Sequence, residues 1–170
     1  LPQSQFAGFY MALEKGFYRE AGFDVVLIHA GPGPSSLDFL LQKKVDVATL
    51  FLADALIQER EHHPLTNVGQ FVQRSNLMLV AWKDHGITTA ADLDGKRVMH
   101  WPGVFSVSFA AFFAQMGVTP SQIIPQPSNV NLFLRKAVSA CAAMSYNELN
   151  RIYQAGVDME QLTLFPMHEF

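Results

Sequence analysis

From Gln5 to Arg19 the large apolar residues Phe6, Phe9, Tyr10, Leu13 and Phe17 recur at steps of three and four. A helix turns once every 3.6 residues, so this spacing gathers them on one face and predicts an amphipathic helix. Gly16 and Gly22 bracket its end, as glycines that take a positive φ do. The rhythm then changes. Phe23-Asp24-Val25-Val26-Leu27-Ile28 is a short β-branched run that reads as a buried strand. Gly31-Pro32-Gly33-Pro34-Ser35-Ser36 is a turn, with Ser35 or Ser36 capping a helix over Leu37 to Lys43. Val45 to Leu50 predicts a second strand, and a helix follows from near Ala53 to about Glu61.

A similar alternation returns further along. Thr66 to Trp82 is strand-rich, with Leu77 to Trp82 (LMLVAW) its most apolar part. Thr88 to Asp94 reads as a short capped helix, and Gly95 introduces a strand over Lys96 to His100. Trp101-Pro102-Gly103 is a loop, and Ser106 to Met116 is an apolar helix ended by Gly117. Ile123-Ile124 suggests a small strand, Leu132 to Val138 a helix, Ala140 to Met144 a strand and Tyr146 to Gly156 a helix. Leu162 to Phe165 predicts the last strand. Strands that alternate with helices through Gly-, Pro-, Ser- and Asn-rich turns predict an α/β fold, its parallel sheets covered by helices on both faces. The pattern occurs twice, with a changeover near Trp82 to Gly86. The chain therefore reads as two lobes, residues 1–82 and 83–170. Ligands of such folds sit outside the carboxyl ends of the strands.

Composition narrows the function. In 170 residues, 49% are hydrophobic and 16% charged, which suits a packed core and excludes a disordered chain. The net charge is −3 and the twelve Lys and Arg are scattered, so neither nucleic acid nor an anionic membrane surface is an expected partner. Cys141 is the single cysteine: no disulfide can form within the chain, and its setting AVSACAAM suits a buried structural thiol. No segment reaches the roughly 18 uninterrupted apolar residues of a membrane span, and no signal-peptide pattern opens the chain. Its abrupt ends at Leu1-Pro2-Gln3 and His168-Glu169-Phe170 read as cuts within a longer protein that would hold the localisation signals.

Three stretches carry candidate chemistry. The turn Gly31 to Ser36 can bind an anion through the free N–H groups of a helix start, or can simply be a turn with a capping serine. Trp101 at a strand end can stack on a flat ligand, or can pack into the core. Tyr146-Asn147-Glu148 opens a helix after a strand of small residues; Glu148 can accept paired N–H donors from an aminopyrimidine or amine, or can serve the helix start alone. The six histidines show no metal-ligand spacing, with His62-His63 reading as solvated surface. No nucleophile motif or paired carboxylates appear, so no catalytic residue, metal or cofactor is expected. Met11, Met78, Met99, Met116 and Met144 fall in apolar runs and read as core.

The stretch QFAGFYMALEKGFYREAGFDVVLI, then GPGPSS, KKVDVATL, ADLDGKRVMHWPG and MSYNELNRI, resembles the type II solute-binding proteins of ABC importers. Its thiamine-pyrimidine-synthase-like branch, with sulfonate, riboflavin and pyrimidine-precursor binders, is the nearest in pattern. The resemblance implies a periplasmic or extracytoplasmic location, optionally membrane-anchored, and a small ligand held in a cleft that closes about a hinge near Trp82 to Gly86. Gln5, Phe6, Tyr10, Ser35 and Ser36 would line it from the first lobe, Trp101, Gly103 and Ser106 from the second, with Tyr146, Asn147 and Glu148 completing it. It implies an ABC permease as partner, or a membrane signalling protein if the domain is a sensor. Two departures stand out. The strand that normally precedes PQSQFAG and the return to the first lobe are absent, so the first lobe reads as incomplete and an exposed sheet edge as a route to a homo-oligomer. A fragment that assembles through this edge without holding a ligand tightly is a further reading. The eukaryotic pyrimidine-synthase branch carries a cysteine-rich run and an active-site histidine; the single cysteine here and the lack of a matching run favour a binder, and His29, His100 or His168 beside Trp101 and Glu148 would favour that enzyme.

Overall fold

The computed structural model describes residues 3–30 and 35–170. The chain divides into two compact units, Leu1–Val68 and Gly69–Phe170.

In the first unit a 3-10 turn, Ser4–Phe6, leads into α1 (Ala7–Glu14), followed by α2 (Phe17–Glu20), α3 (Ser36–Leu41) and α4 (Leu52–Arg60). The helix expected from Gln5 to Arg19 is split at Gly16, which sits at φ +78° and caps α2. Only glycine takes this conformation without strain, so the break is written into the sequence. The strands expected over Phe23 to Ile28 and Val45 to Leu50 do not form, which corrects those two assignments. A strand exists only by pairing its N–H and C=O groups with a neighbour, and no ladder forms among the described residues of this unit. Val26 and Val47 accordingly stay 77% and 67% exposed. Residues 31–34 of the expected Gly-Pro turn lie outside the described residues.

The second unit holds a five-stranded sheet: β1 (Leu77–Trp82), β2 (Arg97–His100), β3 (Gln122–Pro125), β4 (Ala140–Met144) and β5 (Leu162–Pro166), in the order β3-β2-β4-β1-β5. β2 is parallel to β3 and β4, whereas β1 runs antiparallel between β4 and β5. Three helices cover it: α5 (Val104–Met116), α6 (Asn131–Leu134) and α7 (Glu148–Gln154). Among the described residues, every buried hydrophobic side chain belongs to this unit. Its core has two layers. On one face Leu77, Leu79, Ala81, Val98, Ala140 and Ala142 pack with Phe109, Phe112 and Phe113 of α5. On the other, Met78, Val80, Trp82, Met99, Cys141 and Ala143 pack with Phe133 of α6 and Leu149 and Ile152 of α7.

β1 was expected to close the first lobe and instead lies inside this sheet, buried at all six positions. A strand covered on both faces needs apolar side chains on both, hence the unbroken LMLVAW. The changeover expected at Trp82 to Gly86 is a turn within the unit. Lys96 Nζ donates to the His85 carbonyl (2.8 Å), His85 Nδ1 meets Ser139 Oγ (3.1 Å) and Lys136 pairs with Asp84.

The expected capped helix at Thr88 to Asp94 is a 3-10 turn over Ala90–Leu93. Asp92 closes it, accepting from the backbone N–H groups of Thr88 (3.0 Å) and Thr89 (2.7 Å) and from both threonine hydroxyls. These bonds, the backbone ones foremost, hold its carboxyl down to about 2. The folded pKa is depressed, so this contribution is complete above the unfolded value of about 4 and is lost as pH falls from there towards about 2. Asp92→Asn is therefore expected to flatten the acid limb of a plot of Tm against pH over that window. An acid limb as steep as that of the wild type would contradict the assignment.

Candidate functional site

β2 and β4 are parallel neighbours, so their carboxyl ends emerge together. Their connections then part: β2 feeds α5 on one face of the sheet, and β4 feeds α7 on the other. Where adjacent parallel strands send their helices to opposite sides, a crevice opens between their ends. Six candidate residues lie on the two connections that follow these strands.

After β2, Trp101 is half-buried at the edge of the α5 core layer, with its ring 5.6 Å from that of Phe105 and tilted by 55°. Gly103 caps α5 at φ +73°, ψ −142°, a conformation that a side chain would strain. Gly103 has no side chain to cap α5, and the helix has no charged residue. Ser106 Oγ donates to the Gly103 carbonyl (2.6 Å), which leaves its lone pairs as acceptors.

After β4, Asn147 precedes α7 without a side-chain capping bond, and Glu148 is the first residue of the helix. Glu148 is only 5% exposed. Its Oε2 accepts the Met144 N–H (3.0 Å) and its Oε1 accepts Asn147 Nδ2 (2.7 Å). Both oxygens therefore already serve the chain, each with a lone pair remaining. Burial, and then the Glu148 charge, push up the Tyr146 hydroxyl, so Tyr146 is a neutral donor at neutral pH. The same causes, in the same order, push up the Cys141 thiol; with full burial, this fits the structural reading of that cysteine.

The other five candidates belong to the first unit. Gln5 lies in the 3-10 turn; its Nε2 donates to Gln3 Oε1 (2.6 Å), and its Oε1 is buried with no partner among the described residues. Phe6 tilts against Phe9 with ring centroids 6.4 Å apart. Tyr10 stacks on His29 at 5.8 Å, and its hydroxyl meets His29 Nδ1 at 3.2 Å. Ser35 caps α3 in a reciprocal box: its Oγ accepts the Asp38 N–H (3.1 Å), and its own N–H donates to Asp38 Oδ2 (2.7 Å). Ser36 Oγ donates to the Thr49 carbonyl (3.0 Å). Both serines thus have local structural work, the plainer of the two sequence readings.

The family description NMT1/THI5 like matches residues 3–169. The chain belongs to the NMT1/THI5-like family. A solved structure from Bordetella bronchiseptica RB50 superposes on this family member with a TM-score of 0.58 at 19% identity, over 96% of this chain and 52% of that one. The shared fold is the type II periplasmic-binding fold expected from the sequence. An ABC uptake transporter substrate-binding protein from Streptococcus pneumoniae, with bound histidine, aligns at a TM-score of 0.39 and 22% identity over 54% of this chain and 39% of that one, too loosely to argue from. A 4-amino-5-hydroxymethyl-2-methylpyrimidine phosphate synthase of Aspergillus parasiticus is 27% identical over 93 residues, 54% of this chain and 27% of that enzyme. The chain thus spans about half the length of the Bordetella protein and about a quarter of the Aspergillus one.

One buried polar residue of this NMT1/THI5-like chain, Gln126, escaped the sequence reading, whereas His100 is one of the histidines the enzyme reading singles out. Among the described residues, the buried polar side chains of the second unit are His100, Gln126 and Glu148. His100 ends β2, stacked on Phe109 at 4.9 Å with its Nδ1 2.9 Å from the Trp101 carbonyl. Gln126 follows β3, and its amide pairs with the backbone of Ala142. A signal for Gln126 was available: it lies between Pro125 and Pro127, where a lone polar residue after a strand has a specific partner to find. Among the described residues no group of three or more His, Cys, Asp or Glu is arranged to hold a metal, and no helix is long and apolar enough to cross a membrane.

Proposed function

We propose that this chain captures a small, flat nitrogen heterocycle at the carboxyl ends of β2 and β4, as the binding component of ABC-type uptake outside the cytoplasm. The observation that carries the reading is that an aromatic residue, Trp101 beside Phe105, follows β2 while the buried carboxylate of Glu148 follows β4, its parallel neighbour. An aromatic ring recognises a ligand's face. A carboxylate with free lone pairs recognises N–H donors on its edge, and does so strongly out of solvent. The Ser106 hydroxyl suits a polar substituent such as a hydroxyl or phosphate. Gln5, Phe6, Tyr10, Ser35 and Ser36 enter as single-alanine variants in the same experiment.

That experiment is a thermal-shift screen with 4-amino-5-hydroxymethyl-2-methylpyrimidine and its phosphate, flavins, sulfonates and polyamines. A ligand at about 100 times its Kd adds about 2.7 kcal/mol, and hence about 5–10 °C of Tm in a chain of this size. Trp101→Ala and Glu148→Gln are each expected to weaken binding by at least about tenfold, or about 1.4 kcal/mol. A heterocycle shift that survives both substitutions places the ligand elsewhere. A shift with sulfonates alone transfers the reading to an anion site.

The name of the Aspergillus relative favours one second reading, an enzyme of pyrimidine synthesis on this fold. His100, beside Trp101, is the reactive group it would have available. Mass spectrometry of bound ligand separates the two. Recovery of the ligand unchanged supports capture, and a new product mass that disappears in His100→Ala supports the enzyme.

A further inference from the structure

Gln126 is 6% exposed, and its backbone N–H donates to the carbonyl of His100, the last residue of β2 (2.9 Å). Its side chain then passes over the end of β2, which stands between β3 and β4, and meets β4. Nε2 donates to the Ala142 carbonyl (2.7 Å), and the Ala142 N–H donates to Oε1 (2.9 Å). The ladder between β2 and β4 ends at Met99 opposite Cys141. The amide therefore occupies the place of the peptide group that β2 would offer next, with the same donor and acceptor. One step further along β4, the Met144 N–H is taken by Glu148. Two side chains thus finish an edge that β2 leaves unfinished.

We propose that Gln126 is a positioning residue for the crevice, holding its two lips apart. By satisfying Ala142 in place of β2, it lets β2 leave the sheet at Trp101-Pro102 while β4 runs on to Met144. Without the amide, Ala142 must find another partner, because a buried peptide group is costly to leave unpaired. The chain following β2 is the one at hand, although Pro102 has no N–H to give. Recruiting it draws Trp101 towards β4 and narrows the space for a ligand. The inference rests on the ligand reading above.

Two variants of the whole chain test it. Gln126→Met keeps the length and loses both bonds. Gln126→Glu, when ionised, sets an oxygen against the Ala142 carbonyl; when protonated, it regains a donor. The other ionisable groups near this end of the sheet include His100 from β2, Cys141 from β4, Tyr146 from the following turn, and Glu148 and Arg151 from α7, so each value is referred to the wild type at the same pH. The readouts are calorimetric affinity for 4-amino-5-hydroxymethyl-2-methylpyrimidine and acrylamide quenching of Trp101, the other tryptophan, Trp82, being 3% exposed.

Gln126→Met is expected to fold, to weaken the probe about tenfold at every pH and to change Trp101 quenching. Gln126→Glu is expected to do the same at about pH 8 and to return towards the wild type at about pH 5, where burial favours its neutral form. Folded variants with wild-type quenching at both pH values overturn the proposal. Wild-type protein that ignores the probe defeats the ligand reading instead, and quenching then decides on Gln126 by itself. If Gln126→Met does not fold, the pH response of Gln126→Glu decides the same question: recovery at about pH 5 supports the positioning role, and its absence overturns it.

Discussion

Phe133→Ala is expected to destabilise the second unit by about 4 kcal/mol, the middle of the range for a buried phenylalanine truncated to alanine. The ring is fully buried and lies 4.7 Å from that of Trp82 at an interplanar angle of 15°. Truncation removes the apolar contacts, opens a cavity and unstacks Trp82, whose Nε1 donates to the carbonyl of Phe133 itself (2.9 Å). α6 has only four residues and cannot persist as a helix without its packed side chain. At roughly 4 °C per kcal/mol the loss amounts to about 15 °C of Tm, visible by circular dichroism. Trp82 emission should shift to the red in the folded variant. Phe133→Leu, which refills most of the volume, is expected to recover more than half of the loss. A loss below about 2 kcal/mol in Phe133→Ala would mean that the site collapses freely and that α6 does not depend on this ring.

Glu148→Ala is expected to cost about 3 kcal/mol before any ligand is added. The substitution leaves the buried Met144 N–H without its acceptor, at about 1–3 kcal/mol, and releases Asn147 as well. Glu148→Gln keeps an acceptor for Met144 and is expected to cost about 1 kcal/mol. Urea unfolding of both variants without ligand measures the structural share, and the binding screen then measures the rest. This comparison matters because a carboxylate held only for a ligand is under strain without one, and its removal would leave the free protein unchanged or more stable. Equal stability of wild type and Glu148→Ala would therefore sink the closing role assigned to this residue at the end of β4.

The second unit was readable where burial leaves a periodic trace. LMLVAW and ACAAM are apolar at every position because β1 and β4 are covered on both faces, and the strands over 97–100, 122–125 and 162–166 fell where the pattern put them. Helix ends were readable less closely. α6 stops at Leu134, before the expected Val138, and Lys136 beyond it takes φ +55°. α5 begins two residues early, at Val104, because Gly103 turns the chain into it. In the first unit the β-branched runs pointed to strands, but local preference supplies no pairing partner. Trp101 and Glu148 stand out in the sequence as candidates because each lies at the end of an apolar run. The internal bonds of Glu148 and the reach of Gln126 do not, since each joins residues on different elements.

The sequence by itself determined the class of the protein: the alternation of strands and helices, the apolar faces, the breaks at Gly16 and Gly103 and the one buried thiol. These follow from side-chain periodicity and backbone sterics, which act over a few residues. Tertiary structure alone decided which unit owns β1, which runs become strands, and how the edge of β4 is completed at the crevice. These depend on hydrogen-bond partners far apart in the chain: Ala142 is served by Gln126, and Leu77 is paired with Met144. A backbone N–H is indifferent to whether a strand, an amide or a carboxylate receives it, so only the assembled sheet shows which one does.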